Sequence, residues 1–266
     1  MDNNETFEYW RTLSPEESEK IRWRFYGDMC TYDWDNGPYN DAMDAIPILD
    51  HGYVALLDHM GTDIDIINAA RISFNRESSS LDDRDRKLLR YLFEHRHTSP
   101  FEMVEFKFIV KCPIFVARQW MRHRTWSYNE VSRRYTDENI EFYIPKRNWM
   151  RQQAKNDRQA SIEAGEDFDT ISHWLRILGA RDRSCEVYDD LIADGLCREQ
   201  ARMVLSQNLY TTFIAKVDLS NLLHFLELRF DPHAQWEIQQ YAYAVRDLMS
   251  PILKPLLETN YKPSEE

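Results

Sequence analysis

Between Arg118 and Tyr135 the chain gathers five arginines, Arg118, Arg122, Arg124, Arg133 and Arg134, and one acid, Glu130, although the whole protein carries a formal net charge of −12. The planar fork of arginine makes paired, charge-assisted hydrogen bonds to phosphate and carboxylate. Ser127, Asn129 and Ser132 add neutral hydrogen-bonding groups between the cations. Residues three and four apart are neighbours on a helix, so a helix from Ile114 to about His123 would put Gln119, Arg122 and His123 on one polar face of an otherwise apolar segment. That arrangement makes a pocket for a small anion such as a nucleotide. Charge alone does not separate this reading from a network in which the arginines pair with the protein's surplus carboxylates. Trp120, Trp126, Tyr128 and Tyr135 interleave with the arginines and raise a third reading, a stacking platform for single-stranded nucleic acid. The acidic total opposes a general nucleic-acid binder, because a phosphate backbone is held by positive charge spread over a surface.

Other reactive side chains are less organised. Cys30, Cys112, Cys185 and Cys197 are scattered without a CxxC, so neither a disulfide framework nor a structural zinc is expected. His95 and His97 lie near a predicted helix end with no carboxylate-rich ligand set nearby, and no metal is expected. Ser132 has no obvious dedicated base and reads as a binding residue rather than a nucleophile.

The elements that must position these residues are legible in part. Ser14-Pro15-Glu16-Glu17 reads as a helix start, with Ser14 as N-cap and Glu17 closing a capping box, and the helix runs to about Met29. Residues 31–40, with Asn36-Gly37-Pro38, have turn chemistry, so residues 1–50 are expected to be an extension of a domain spanning 51–266. Within that domain Tyr53 to Leu57 suggests a short strand. Thr62 can cap a helix carrying Ile64, Ile67, Ala70 and Phe74 on one face, and a second helix spans about Leu81 to Glu94. Met103 to Lys111 is the clearest strand, with Val104, Phe106, Phe108 and Val110 alternating against charged residues. It ends at Cys112-Pro113, where Pro113 can open the next helix.

Downstream, Glu141 to Ile144 suggests another strand and residues 145–165 a surface loop with some helix. Phe168 to Ala193 reads as a long amphipathic helix and Arg198 to Gln207 as a shorter one. Tyr210 to Val217 alternates as a strand, and Asp218 can cap a helix carrying Leu219, Leu222, Leu223 and Leu226. A last helix spans about Ala234 to Glu258 with a break near Pro251, and Tyr241, Trp236 and Ile238 within it read as core or subunit contacts. Many helices, few strands and no βαβ alternation make the fold class α+β. At 266 residues and 43% hydrophobic the chain can bury one large core. It has no apolar run of 18 residues and no signal-peptide profile in its first 30 residues, so a cytoplasmic protein that does not enter membranes is expected.

The residues from Arg122 to Tyr135 match every fixed position of RHRxxSxNExSxRY, a fourteen-position pattern with nine fixed residues. In this the chain resembles the flavin-dependent thymidylate synthases. Ala69 to Phe74, His97 to Glu102, Phe115 to Trp120 and the block Leu226 to Ala242 resemble segments of the same family in the same order, covering roughly residues 51–250. The resemblance implies a fold of mixed helices packed on a small, mostly antiparallel sheet. It implies FAD contacts from Arg122, His123, Arg124 and Glu130, from Ser99 in a neighbouring subunit, and from Asp218, Leu219, Ser220 and His224. This last group replaces the Asn-Ala-Arg and Asn of some relatives. Around dUMP it implies Gln119, Trp120, Met121, Arg122, Glu130, Val131, Ser132, Arg133 and Arg134. Arg133 stands where relatives often carry a small residue. Arg202 matches an arginine that reaches the nucleotide phosphate, and Arg229 one thought to favour ionisation at N3 of the uracil and so to activate the ring.

The reaction so implied is reductive methylation of dUMP to dTMP. Methylenetetrahydrofolate is the one-carbon donor, and FAD reduced by NADPH gives the hydride. The cysteine-dependent thymidylate synthases need a thiolate activated by nearby positive charge. No cysteine lies within residues 113–184, which include the arginine motif. Catalysis would then rest on positioning and cationic stabilisation of an electron-rich uracil, with Arg229 central. The family likeness also implies a homotetramer with sites shared between subunits. A related enzyme acting on another pyrimidine, or on uridine in RNA, would differ in substrate alone.

Overall fold

A computed structural model of the chain describes residues 45–136, 140–155 and 157–260. The helix expected from Ser14 to Met29 and the linker at 31–40 lie outside the described residues.

The chain opens with β1 (Ala45–Ile48), β2 (Gly52–Met60), α1 (Asp63–Arg71), α2 (Asp83–Glu94), β3 (Glu105–Pro113), α3 (Ile114–Trp120) and β4 (Ser127–Glu130). A hairpin of β5 (Arg151–Gln153) and β6 (Ser161–Glu163) follows, then α4 (Thr170–Ala193), α5 (Arg198–Ala201), β7 (Tyr210–Asp218), α6 (Leu219–Arg229), α7 (Trp236–Met249) and α8 (Lys254–Asn260). Five strands form one sheet in the order β1-β2-β3-β7-β4, every neighbouring pair antiparallel. This is the α+β arrangement that the sequence pattern and the family likeness both call for. The compact unit begins before residue 51, because Ile46 and Ile48 of β1 are fully buried in the core.

β3 is central because its alternation serves a buried face: Val104 just before it, then Phe106, Phe108 and Val110, are all at 0% exposure. β7 pairs with it along its whole length, from Glu105 opposite Asp218 to Pro113 opposite Tyr210. Asp218 then caps α6, its carboxylate accepting the Asn221 backbone N–H at 3.0 Å. The buried Leu219, Leu222, Leu223 and Leu226 of α6 join Ile238, Tyr241 and Val245 of α7 in the main core.

Several expectations need correction. Phe74 lies beyond α1 in a short 3-10 segment and is 76% exposed, while Ile66 joins Ile67 on the buried face. Pro113 is the last residue of β3 rather than the first of a helix. α3 stops at Trp120, and the next turn tightens into three-residue bonds, Arg122 N–H to Gln119 C=O at 3.3 Å and His123 N–H to Trp120 C=O at 3.0 Å. Gln119 and Arg122 remain neighbours through that turn. Glu141–Ile144 forms a single bridge, Phe142 with Leu209, and the presumed loop after it holds the β5–β6 hairpin.

Candidate active site

The arginine motif is held in place by its aromatic residues. Trp120 is fully buried against Trp126, Phe213, Phe225 and Tyr241, with ring centroids 4.8–6.2 Å apart. The first backbone N–H groups of α3, which a helix leaves unpaired, are taken by the loop before β7: Ile114 by Leu209 C=O at 2.9 Å and Phe115 by Gln207 C=O at 3.2 Å. From the edge strand β4, the Tyr128 hydroxyl reaches back to the carbonyls of Trp120 and His123, 3.1 Å from each. The stretch Ser127–Glu130 is thus a strand stapled to the turn that carries Arg122, His123 and Arg124.

With Trp120 at 0% and Trp126 at 5% exposure and Tyr128 half-buried, the four rings present no shared face for bases to stack on; Tyr135 alone of the four is exposed. This removes the nucleic-acid platform, and it makes Trp120 an anchor for α3 rather than a side chain available to dUMP. Arg118, Arg122 and Arg124 are exposed and meet no carboxylate among the described residues. A network pairing all five arginines with the chain's own acids is therefore not what the motif forms. Arg134 has a carboxylate at hand among the described residues, Glu199 at 3.5 Å.

Beside the turn, Arg229 at the end of α6 donates from Nε to His123 Nε2 at 3.2 Å and from Nη2 to the Gln119 carbonyl at 3.0 Å. Two of its three donor groups are spent on fixing its plane, and Nη1 is unspent among the described residues. Accepting at Nε2 requires a neutral imidazole with its proton on Nδ1. Burial, then the Arg229 charge, then His224 bring the pKa of His123 down to about 4. Burial also lowers that of Arg229, which stays cationic because arginine starts so high.

His123 has a consequence for stability. The unfolded chain takes up a proton at this ring near pH 6.5, whereas the folded one does so only near 4. The stability it contributes is complete above pH 6.5 and is lost as pH falls from 6.5 towards 4. Thermal midpoints measured across that window should fall for the natural protein and fall less steeply for His123→Gln. Parallel curves would show that the ring titrates normally.

From Arg229 the surface continues to the Ser99 turn. His123 and His224 have ring centroids 6.2 Å apart, His224 Nδ1 is 3.7 Å from Glu227, and Glu227 pairs with Arg96 at 3.3 Å. Arg96 adopts a left-handed φ of +54° just before Ser99. His123, His224, Glu227 and Arg96 thus lie along one chain of contacts, Ser99 is exposed three residues beyond Arg96, and neither Arg96 nor Glu227 stood out in the sequence. Ser220 is half-buried. Leu219 does not suit a ligand: its side chain is fully buried and its N–H donates to Val104 C=O at 2.8 Å. The Asp218 carboxylate is occupied by the cap and by the Asn221 amide at 2.6 Å.

The second half of the motif forms another group. The Glu130 carboxylate accepts from the Thr211 hydroxyl at 2.6 Å, and the Val131 N–H donates to Thr212 C=O at 2.9 Å. The Ser132 hydroxyl accepts the Arg134 N–H at 3.3 Å and its carbonyl the Tyr135 N–H at 3.0 Å, so Ser132 shapes the turn that presents Arg133 and Arg134. Arg202 donates from Nε to the carbonyl of Glu199, the acid that pairs with Arg134. Met121 packs against the core, partly buried. Cys112, beneath Glu130, is fully buried, and burial and the Glu130 charge push its thiol well above the usual range, so it offers no thiolate.

The family model described as Thymidylate synthase complementing protein matches residues 55–253. The chain belongs to this family. A flavin-dependent thymidylate synthase of Thermus thermophilus is 50% identical over 205 residues, 77% of this chain and 74% of the relative. One from Wolbachia pipientis wMel is 46% identical over 203 residues, covering 76% and 71%. Among solved structures, the UMP/dUMP methylase PolB from Streptomyces cacaoi bound with 5-Br UMP superposes with a TM-score of 0.69 at 32% identity, covering 78% of this chain and 92% of PolB. For a member of the thymidylate synthase complementing family, the residues that need explaining are thus the arginine turn and Arg229. Among the described residues no helix is long and apolar enough to cross a membrane, and no group of three or more His, Cys, Asp or Glu is placed to hold a metal.

Proposed function

We propose that this protein is a soluble, cytoplasmic, FAD-dependent thymidylate synthase. It converts dUMP to dTMP with methylenetetrahydrofolate as one-carbon donor and NADPH as reductant of the flavin. The observation that carries this reading is Arg229, a half-buried cation fixed by a neutral imidazole and a backbone carbonyl beside the arginine turn. A cation held in this way can stabilise negative charge on the pyrimidine imide without reorganising as the charge develops.

The donor set fits FAD. Among the described residues Arg122 and Arg124 meet no carboxylate and so suit a diphosphate, and Ser220 and His224, with Ser99 of a neighbouring copy, would add polar contacts. Bound FAD supplies the hydride that completes the methyl group. Gln119 and Arg229 hold the uracil edge, while Ser132, Arg133, Arg134 and Arg202 hold the phosphate. Among the described residues no hydrogen bond or ion pair links Gln119 or Arg229 to Arg134 or Arg202. A homotetramer whose sites take residues from neighbouring copies accounts for that separation.

The deciding experiment is the visible spectrum of the purified protein, followed without oxygen by NADPH and then dUMP. A yellow protein whose flavin bleaches with NADPH and whose spectrum responds to dUMP is the expected result. A colourless protein that also fails to take up FAD would remove the proposal. Because PolB is a UMP/dUMP methylase, UMP belongs in the same titration, and a response to dUMP alone would assign the deoxyribonucleotide.

A further inference from the structure

Gln119, proposed above to meet the uracil edge, does not point its amide freely. Its Nε2 donates to the Oε1 of Gln235. Gln235 donates in turn from Nε2 to Glu237 Oε2 at 2.9 Å, and the Tyr143 hydroxyl approaches the other oxygen, Oε1, at 3.4 Å. Burial first, then the charges of Glu237 and Asp50, hold the Tyr143 phenol far above its ordinary range, so it keeps its proton and acts as donor. Gln235 is the N-cap of α7, its carbonyl taken by the Gln239 N–H at 3.2 Å. The neighbouring Trp236 packs against Trp149 with centroids 5.7 Å apart, so the relay stands on a fixed helix start.

The direction of every bond in this relay follows from its far end. An ionised carboxylate only accepts, so Gln235 must turn its N–H group towards Glu237 and its oxygen towards Gln119. Gln119 must then turn its own N–H group towards Gln235, which leaves its Oε1 as the outward acceptor of the residue whose backbone carbonyl Arg229 meets.

We infer that Gln235 and Glu237 are positioning residues that set the hydrogen-bond polarity of Gln119 and thereby select uracil over cytosine. The inference rests on the proposal that Gln119 meets the base. One acceptor next to donors complements the imide edge of a neutral uracil, where N3–H donates between two accepting carbonyls. Cytosine has an accepting N3 and a donating N4 amino group, and it meets like with like. Specificity of this kind comes from the mismatch as much as from the match.

Glu237→Gln inverts the relay. With Tyr143 donating, Gln at position 237 turns its oxygen to the phenol and its N–H group to Gln235. Gln235 flips, and Gln119 flips after it to present N–H outward. Adding Gln235→Glu restores the original sense, because the carboxylate at 235 accepts from both neighbours and again requires Gln119 to donate.

The test is calorimetric titration of the full-length, flavin-loaded protein with dUMP and with dCMP. The natural protein should bind dUMP and discriminate against dCMP. In Glu237→Gln the ratio of affinities should fall by at least about tenfold, and in the double variant it should return towards the natural value. A merely structural role would weaken both ligands alike and would not be rescued by exchanging the two side chains. An unchanged ratio in the single variant, or no recovery in the double, overturns the inference while dUMP binding by the natural protein stands. Failure of the natural protein to bind dUMP overturns the proposed function and this inference with it.

Discussion

Arg229→Ala should lower kcat for dTMP formation by about 10²–10³-fold, the loss typical when a preorganised charge-stabilising donor is removed, while dUMP affinity measured separately falls much less. The split follows from when the interaction matters. A neutral uracil gains little from a nearby cation, whereas an imide that gains electron density as C5 attacks the one-carbon unit gains much. A group that acts on developing charge therefore shows in kcat rather than in affinity. Arg229→Lys should recover little, because one ammonium cannot donate at once to His123 Nε2 and the Gln119 carbonyl and still face a substrate. Near-normal turnover in Arg229→Ala with dUMP bound would move the catalytic charge elsewhere in the motif.

Which of these features could be read in the sequence depends on how local their causes are. The alternation in β3 and the cap at Asp218 are set by neighbours a few residues away, and both are where the pattern puts them. The arginine motif was visible as chemistry, but its backbone was not. β4 has no alternating apolar face, with Tyr128 half-buried and Ser127, Asn129 and Glu130 exposed. It is a strand because β7 offers its free edge, a partner 83–89 residues away that no local pattern reveals. α3 stops sooner than its composition suggests, because the buried Trp120 and Trp126 and the Tyr128 hydroxyl pull the chain into a tight turn.

The same reasoning separates the site residues. Arg229 meets His123 beside the turn that carries Arg122 and Arg124, and these residues stood out because their types suit an anion. Leu219 and Trp120 were drawn in by their place in family segments, but their side chains are claimed by the core. Arg96, Glu227 and Gln235 escaped notice because each is an ordinary polar residue whose importance lies in one long-range contact.

Gly52→Ala should destabilise the fold by about 2–4 kcal/mol, from overpacking plus the loss of a buried hydrogen bond. Gly52 opens β2 opposite Ile48, and a Cβ there would overlap the Tyr241 hydroxyl and lie 2.7 Å from the Ile48 carbonyl oxygen and 2.9 Å from that of Lys111. Tyr241 is fully buried, and its hydroxyl donates to the Lys111 carbonyl at 2.8 Å, so it cannot move aside without breaking that bond. A double-mutant cycle with Tyr241→Phe isolates the cause. Removing the hydroxyl costs its hydrogen bond but clears the worst overlap, so the double variant should be more stable than the two single losses combined would give. Strictly additive unfolding free energies would mean that the new methyl group is accommodated without touching Tyr241. The ring of Tyr241 is 6.2 Å from that of Trp120, the anchor of the helix that presents Gln119. Any displacement forced at Gly52 should therefore also loosen the dUMP site, and the dUMP affinity of Gly52→Ala should fall along with its stability and recover with it in the double variant.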